Sequence, residues 1–222
     1  MTERPTKHGD YTVHVASSAE ECDKLLDRLW PPERMPTVLG FDAEYSAERR
    51  VALVQLADRR CAVLVRLCTP GEPPSYFRAL PPALERVLAC PTCWKAGVGV
   101  HDDCAALERQ YAMPKRAAAC LDLAAVAMAF GVAAGRRSLG DLALSIVGEE
   151  KQERAGIGSW ARSTVLNERQ KQYAAGDARL GLRLADAMYE SLRESSSESL
   201  ESFCRRAERK AAEFVEVHGS EF

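Results

Sequence analysis

Hydrophobic and polar residues in the first part of the chain alternate in patterns that predict several strands and one helix. Apolar residues at every second position predict a strand at Tyr11–Val15, and helical spacing follows at Ala19–Trp30. Three further runs, rich in apolar residues and separated by short turns, are typical of an antiparallel meander. They are Val38–Glu44, Val51–Ala57 and Cys61–Val65.

The remainder of the chain is mainly helical in its periodicity. After a proline-rich loop at Thr69–Ser75, we expect a strand at Trp94–Val100 and a short element that begins at Cys120–Asp122. The predicted helices are Tyr76–Leu88, Asp103–Tyr111, Leu123–Phe130, a helix capped by Ser138 that runs through Val147, Asn167–Glu194 and Ser199–Val217. Between the helix that runs through Val147 and the helix that begins at Asn167, Glu149–Arg162 is predicted to be a polar connection near the substrate.

No repeat or linker in the sequence marks a second domain. We therefore predict one domain over residues 1–222, with a core at about 10–193 and a C-terminal helical extension at about 199–217. No segment approaches the ~18 continuous apolar residues of a membrane span, and the first eight residues lack the apolar region of a secretory signal. We expect an intracellular protein, cytoplasmic or nuclear, that is not secreted and makes no membrane contact.

The charge of the chain does not by itself identify a partner. A net charge of −2 argues against a strongly basic protein that binds nucleic acids non-specifically, yet local arginines can still contact phosphates. Four neighbouring basic pairs are candidates for such contacts, although most pairs of this kind are solvated surface: Arg49-Arg50, Arg59-Arg60, Lys115-Arg116 and Arg136-Arg137. Basic and acidic residues mixed through Glu201–Glu213 predict a solvent-exposed late helix.

Eight cysteines raise the question of a zinc site. Cys90 and Cys93 form a Cys-x-x-Cys pair, and His101 and Cys104 follow closely. The apolar stretch between the two pairs is predicted to be a strand, which would hold them apart. We therefore favour reduced thiols in the core of an intracellular protein.

Two carboxylates follow the apolar run of the second predicted strand. Asp42 and Glu44 are two residues apart, so their side chains point to the same face. Like charges this close repel, and a cation between them would remove the cost. Oxygen-only ligands suit Mg²⁺ or Mn²⁺ rather than zinc. The simpler alternative is a solvated turn after a strand.

Further acidic residues lie in two other segments. Asp102 or Asp103 falls where a strand gives way to a helix and would cap its N-terminus, while the spacing to Leu107 favours Asp103 as the inward residue. Tyr173 and Asp177 are four residues apart on a predicted helix, so both project from one face. A packing tyrosine on an ordinary helix is the alternative.

In order and context, these segments resemble the DEDDy branch of the DnaQ-like 3′→5′ exonucleases, with the closest similarity to the exonuclease domain of the Werner-syndrome helicase and its relatives. The matching stretches are Phe41-Asp-Ala-Glu-Tyr45, Val51-Ala-Leu-Val-Gln-Leu56, Gly97-Val-Gly-Val100, Asp103-x-x-x-Leu107, Trp160 and Tyr173-Ala-Ala-x-Asp-Ala178. The resemblance extends over about Asp10–Arg193. It implies an α/β fold of the RNase H-like type, in which helices flank a mixed central sheet.

The resemblance also implies an activity and a role for each residue. It implies an exonuclease that uses two divalent cations, Mg²⁺ or Mn²⁺, to remove nucleoside monophosphates from a single-stranded or 3′-recessed DNA or RNA end. Asp42 would bridge the two ions, and Glu44 and Asp177 would complete the ligands of the first. Asp103 would hold the second ion, in part through water, and Tyr173 would position the attacking water. Tyr45 replaces the family's usual tryptophan.

Two other functions stay open at this point. One is a nuclease-like fold that binds nucleic acid or a partner without cutting it, and the complete acidic set argues against it. The other is an RNase D-like enzyme that trims structured RNA with the same centre. DNA and RNA present the same phosphodiester, so these residues do not separate them.

Overall fold

A computed structural model of the chain describes residues 6–8, 11–71, 73–132, 135, 137–154, 159–161 and 165–218. The strands are β1 (Thr6–His8), β2 (Tyr11–Ala16), β3 (Val38–Tyr45), β4 (Val51–Ala57), β5 (Cys61–Arg66), β6 (Cys68–Thr69), β7 (Ser75–Tyr76), β8 (Trp94–Gly97) and β9 (Cys120–Asp122). The helices are α1 (Ala19–Leu29), a 3-10 turn at Pro32–Arg34, α2 (Pro82–Ala89), α3 (Val100–Tyr111), α4 (Leu123–Ala129), α5 (Leu139–Leu142) with a π turn at Ala143–Val147, α6 (Glu168–Leu192) and α7 (Leu200–His218).

The central sheet is mixed and has the strand order β1-β2-β5-β4-β3-β8-β9. The meander β3-β4-β5 is antiparallel, as the short turns between its strands predict. Strands β8 and β9 run parallel to β3, each reached through a helical connection. Every residue of β4 and β5 is buried, because helices or loops cover both faces of the middle of the sheet.

Helices on the two faces of the sheet divide the core. On one face, α1, α2 and α3 bury Leu26, Leu84 and Leu107 against strand residues such as Phe41. On the other face, the first half of α6 packs its alanines against β4 and β5. The second half of α6, together with α4 and α7, covers the β8–β9 end. This arrangement confirms the predicted mixed sheet flanked by helices.

Helix α6 lies unusually close to the sheet. A Cβ added at Gly40 in β3 would lie 1.8 Å from the Ala178 carbonyl oxygen, and one added at Gly181 would lie 2.7 Å from the Ala96 carbonyl oxygen. Glycine at both positions therefore lets the backbones of helix and strand touch. The helix is capped at its N-terminus by Asn167, whose side chain forms a capping box with Gln170.

The predicted start of α2 is wrong. The helix begins at Pro82 rather than Tyr76, because Pro81 disfavours a helical residue before it and proline is well suited to the first helical turn. Tyr76 instead belongs to β7, which pairs with β6. The predicted loop at Thr69–Ser75 therefore closes a small hairpin.

The boundary between β8 and α3 also differs from the prediction. The strand ends at Gly97, and the helix begins at Val100 after Gly99, whose φ of +75° lies in the left-handed region. Asp102 and Asp103 consequently lie in the first turn of the helix instead of capping it. The Gly99 N–H donates to Asp122 Oδ2 at 2.7 Å, which fixes this turn against the end of β9.

Helix α7 is less exposed than its mixed charges predict. It buries Phe203, Cys204, Ala207 and Ala211 on one face, and only the opposite face is solvated. Arg206 is largely covered and pairs with Glu198. Among the described residues, no helix is both long enough and apolar enough to span a bilayer.

Replacement of Gly40 by alanine should strongly destabilise the protein. The new methyl group meets a backbone carbonyl of α6, which cannot rotate away, and we expect a loss of about 3 kcal/mol or more in the free energy of unfolding. Gly176→Ala is the matched control, because no atom lies within 4 Å of a Cβ there and alanine favours the helix by about 0.5–1 kcal/mol. Urea unfolding of both variants measures the difference, and equal stabilities would contradict the close contact.

Candidate metal centre

Three carboxylates from two elements meet at the edge where β3 ends. Asp42 and Glu44 project from the same face of β3, as the two-residue spacing predicts, and Asp177 reaches them from α6. One oxygen from each of the three lies within 4.8 Å of the others. Glu44 and Asp177 are only 5% and 4% exposed, so water cannot solvate their charges freely.

Burial and mutual repulsion make these carboxyls hard to ionise without a cation. Burial raises the pKa of Asp42 well above its usual range, and the neighbouring carboxylates, Asp177 foremost, raise it further. Burial likewise raises the pKa of Glu44 to about 7, against the opposing effect of Arg154. The pKa of Asp177 is also raised by burial, although the Lys151 ammonium opposes the rise. Such a cluster favours any cation that enters it.

Two basic side chains already contact the cluster, and sequence reasoning missed both. The Lys151 ammonium donates to Asp177 Oδ2, and Arg154 Nη2 lies 3.2 Å from Glu44 Oε2. Both residues belong to the predicted polar connection that leads into α6. Their three-residue spacing in a segment that carries few other cations was the available signal.

Tyr173 faces the same centre. Its hydroxyl accepts a hydrogen bond from Lys151 Nζ at 3.1 Å, and its ring lies beside Trp160 with 6.1 Å between centroids. Tyr173 and Asp177 thus project from one face of α6 and share Lys151 as a partner. Burial raises the pKa of the Tyr173 phenol, so the hydroxyl keeps its proton at neutral pH.

Asp103 stands beside the three-carboxylate group but is not part of it. The Tyr45 hydroxyl donates to Asp103 Oδ1 at 2.6 Å and holds that carboxyl toward the end of β3. Burial raises the pKa of Asp103 to about 6, and the Tyr45 hydrogen bond opposes the rise. The residue that departs from the family pattern therefore fixes the orientation of the fourth acidic side chain.

The donor set fits a hard divalent cation. The ligand atoms are carboxylate oxygens, as Mg²⁺ and Mn²⁺ prefer. Gln55 lies directly opposite Asp42 in the β3–β4 pair, so both side chains are on one face. It is fully buried, and neither amide atom has a hydrogen-bond partner among the described residues. A hydrated ion on Asp42 would give this costly unpaired amide a partner.

The cysteines do not form a second metal site within the described residues, where the acidic cluster is the group able to hold an ion. All eight are free thiols, and Cys104 lies 3.6 Å from Cys120. The Lys95 ammonium donates to the carbonyl oxygens of Cys93, Cys90 and Val87. A cation therefore already occupies the space beside the Cys90–Cys93 pair.

Comparisons with known proteins bear on the family and the fold of the chain. A family described as 3′-5′ exonuclease matches residues 16–193. The EXO domain of Nibbler from Aedes aegypti is 18% identical with a TM-score of 0.69, covering 88% of this chain and 94% of that one. NrnC from Brucella melitensis is 17% identical with a TM-score of 0.60, covering 84% and 88%.

A second structure of Brucella melitensis NrnC, bound to pGG, is 16% identical with a TM-score of 0.59 and covers 79% of this chain and 83% of that one. At these identities the likenesses show a shared fold, which confirms the predicted RNase H-like architecture. No curated protein sequence matches the chain. The expected closeness to the Werner-syndrome helicase domain stays a prediction.

The metal-free protein should lose stability as the pH rises through the titration of this cluster. Glu44 has a pKa raised to about 7 in the folded protein, so its stabilising contribution is complete below its unfolded pKa and is lost as the pH rises through about 7. One such group changes the free energy of unfolding by at most about 1.4 kcal/mol per pH unit.

Urea unfolding in the presence of a chelator, at pH values from about 5 to about 8, measures this slope. Glu44→Gln removes one titrating carboxyl and keeps the size of the side chain. The free energy of unfolding of this variant should therefore fall less steeply with pH than that of the wild type. The comparison of the two slopes cancels the contribution of titrating groups outside the cluster, such as His14. A wild-type slope no steeper than that of the variant would contradict the assignment.

Proposed function

The chain belongs to the 3′-5′ exonuclease family, and we propose that it hydrolyses the terminal phosphodiester of a nucleic acid at the centre formed by Asp42, Glu44 and Asp177. The products are a nucleoside monophosphate and a strand shorter by one nucleotide. The observation that carries the proposal is the convergence of three largely buried carboxylates from β3 and α6, with ligand oxygens within 4.8 Å of one another.

Two divalent cations, Mg²⁺ or Mn²⁺, would supply the activation of the attacking water and the stabilisation of the leaving 3′-oxygen. The family resemblance implies that Asp42 would contact both ions, and Asp177, Asp103 and Glu44 all lie close enough to it to raise its pKa. Glu44 and Asp177 would complete the ligands of one ion. Asp103, held by Tyr45 beside the cluster, would reach the other ion in part through water.

Tyr173 is proposed to orient the water that attacks phosphorus. Its hydroxyl lies within reach of the centre, as its hydrogen bond to Lys151 beside Asp177 indicates. The ring is 5% exposed and packs near Trp160, so the hydroxyl has little freedom to move. A protonated phenol can accept a hydrogen bond from water while it donates one to a carboxylate.

The substrate is proposed to be a nucleic-acid 3′ end, with DNA and RNA as the two candidates. The NrnC structure bound to pGG is a precedent for a short oligonucleotide in this fold. An RNase D-like enzyme that trims RNA is the second candidate function, since it requires the same carboxylates. A protein that only binds nucleic acid is disfavoured, because nothing in such a role requires clustered buried carboxylates, which are costly to ionise.

Digestion of matched DNA and RNA strands tests the proposal. A strand labelled at its 5′ end should give a ladder of shorter labelled products in Mg²⁺ or Mn²⁺, and none when a chelator is added. A 3′-terminal phosphorothioate should block the reaction, whereas a blocked 5′ end should not. Early release of the 5′ label as a mononucleotide would contradict the polarity.

The matched control is Asp42→Asn, which keeps the size of the side chain and removes its charge. This variant should lose nearly all turnover, because an amide cannot bridge two cations. It should fold at least as stably as the wild type without metal, since it removes a repelled carboxylate. Cleavage by the variant at the wild-type rate would show that the ladder comes from another centre or a contaminant.

Replacement of Tyr173 by phenylalanine should lower turnover by ~10²-fold, the lower end of what a positioned proton-handling group contributes. The change removes the hydroxyl and keeps the ring beside Trp160, so folding and the affinity for Mn²⁺ should change little. Steady-state turnover and a Mn²⁺ titration measure the two effects. Unchanged turnover would assign Tyr173 to packing alone.

A further inference from the structure

Lys151 contacts two of the residues that form the candidate centre, Asp177 and Tyr173. Its ammonium donates to Asp177 Oδ2 and, at 3.1 Å, to the Tyr173 hydroxyl, and it lies 4.4 Å from the centroid of the Tyr173 ring. The side chain is 25% exposed, so one side of it still faces solvent. It is therefore placed between the buried carboxylate and the open approach to the centre.

The position of Lys151 is built into the fold. Two residues earlier, the Glu149 carboxylate pairs with Arg183 on α6, and its backbone N–H donates to the Ala143 carbonyl oxygen at 3.3 Å. The stem of Lys151 packs on α5, where a Cβ at Gly140 would lie 3.4 Å from Lys151 Cβ. These contacts fix the point from which the Lys151 side chain starts, and the long side chain beyond it can swing.

Lys151 and a metal ion compete for Asp177. The ammonium group and a divalent cation would both lie against the same carboxylate, and at that distance their two positive charges repel each other. The same conflict exists for Arg154, which contacts Glu44 from the same segment. Because the ion and the ammonium repel each other, ion binding favours movement of the Lys151 ammonium away from Asp177, and that ammonium then lacks its carboxylate partner.

The new partner must be an anion at the same centre, and the substrate supplies one. The phosphodiester has non-bridging oxygens, and a lysine ammonium is a strong donor to phosphate. We propose that Lys151 binds the phosphate group that is cleaved, and that its pairing with Asp177 belongs to the metal-free protein. This inference rests on the proposed exonuclease function and adds a substrate-binding residue to it.

The same movement would free Tyr173 for its own role. In the present arrangement the Tyr173 hydroxyl accepts a hydrogen bond from Lys151. Once the ammonium has turned to phosphate, the oxygen lone pairs of the phenol are available to a water molecule. Lys151 thereby links the arrival of ions and substrate to the placement of the attacking water.

Calorimetric titrations of Lys151→Met test the proposal without measuring turnover. With no nucleic acid present, the variant should bind Mn²⁺ more tightly than the wild type, by about tenfold, because the competing ammonium is gone. With Mn²⁺ saturating, it should bind a nucleoside 5′-monophosphate more weakly by a similar factor. Lys24→Met, which removes an exposed ammonium on α1, is the control and should change neither affinity.

Loss of Lys151 leaves Asp177 buried without its partner, so thermal unfolding with and without Mn²⁺ accompanies the titrations. Without Mn²⁺, Lys151→Met should unfold at a lower temperature than the wild type. Addition of Mn²⁺ should raise the unfolding temperature of the variant more than that of the wild type. Lys151→Arg keeps a positive charge that reaches phosphate, and it should restore binding of the mononucleotide.

Different outcomes would contradict the role of Lys151 and the proposed exonuclease function. If Lys151→Met leaves either affinity at the wild-type value, or weakens Mn²⁺ binding, the inference is wrong. If the wild type does not bind Mn²⁺, or Asp42→Asn binds it equally well, the proposed function itself fails. Opposite changes in the two affinities, with Arg restoring the second, would support Lys151 as a substrate ligand.

Discussion

The close contact between α6 and the sheet is the constraint on which the candidate centre depends. Gly40 and Gly181 carry no side chain at the points where helix and strand backbones meet, so the helix lies directly on β3 and β8. Asp177 is the residue before Ala178, whose carbonyl oxygen faces Gly40, and Asp42 is two residues beyond that glycine. A helix held even one methyl group farther away would separate the two carboxylates.

This proximity has an electrostatic cost, and the neighbouring residues are arranged to reduce it. Burial and like charges raise the pKa values of Asp42, Glu44 and Asp177. Lys151 and Arg154 offset part of the repulsion from one side. On the other side, the Tyr45 hydroxyl holds the Asp103 carboxylate beside the three clustered carboxylates, so that it does not come into direct contact with them.

Much of the site follows from short-range periodicity. Asp42 and Glu44 share a strand face because they are two residues apart, and Tyr173 and Asp177 share a helix face because they are four apart. The start of α3 was missed, since its position depends on a left-handed Gly99 held by Asp122 in a distant strand. Lys151 and Arg154 were missed because the end of a long side chain on an irregular segment is set by the tertiary fold.

The ion pairs of Lys151 and Arg154 bear on whether folding of the chain depends on a metal ion. Domains whose ligands are left uncompensated without an ion fold only when the ion is present, as structural zinc sites do. Here the chain carries its own counter-charges to the buried carboxylates. It can therefore fold before any ion binds. The supply of metal would then affect the turnover rate of each molecule more than it affects the amount of folded protein.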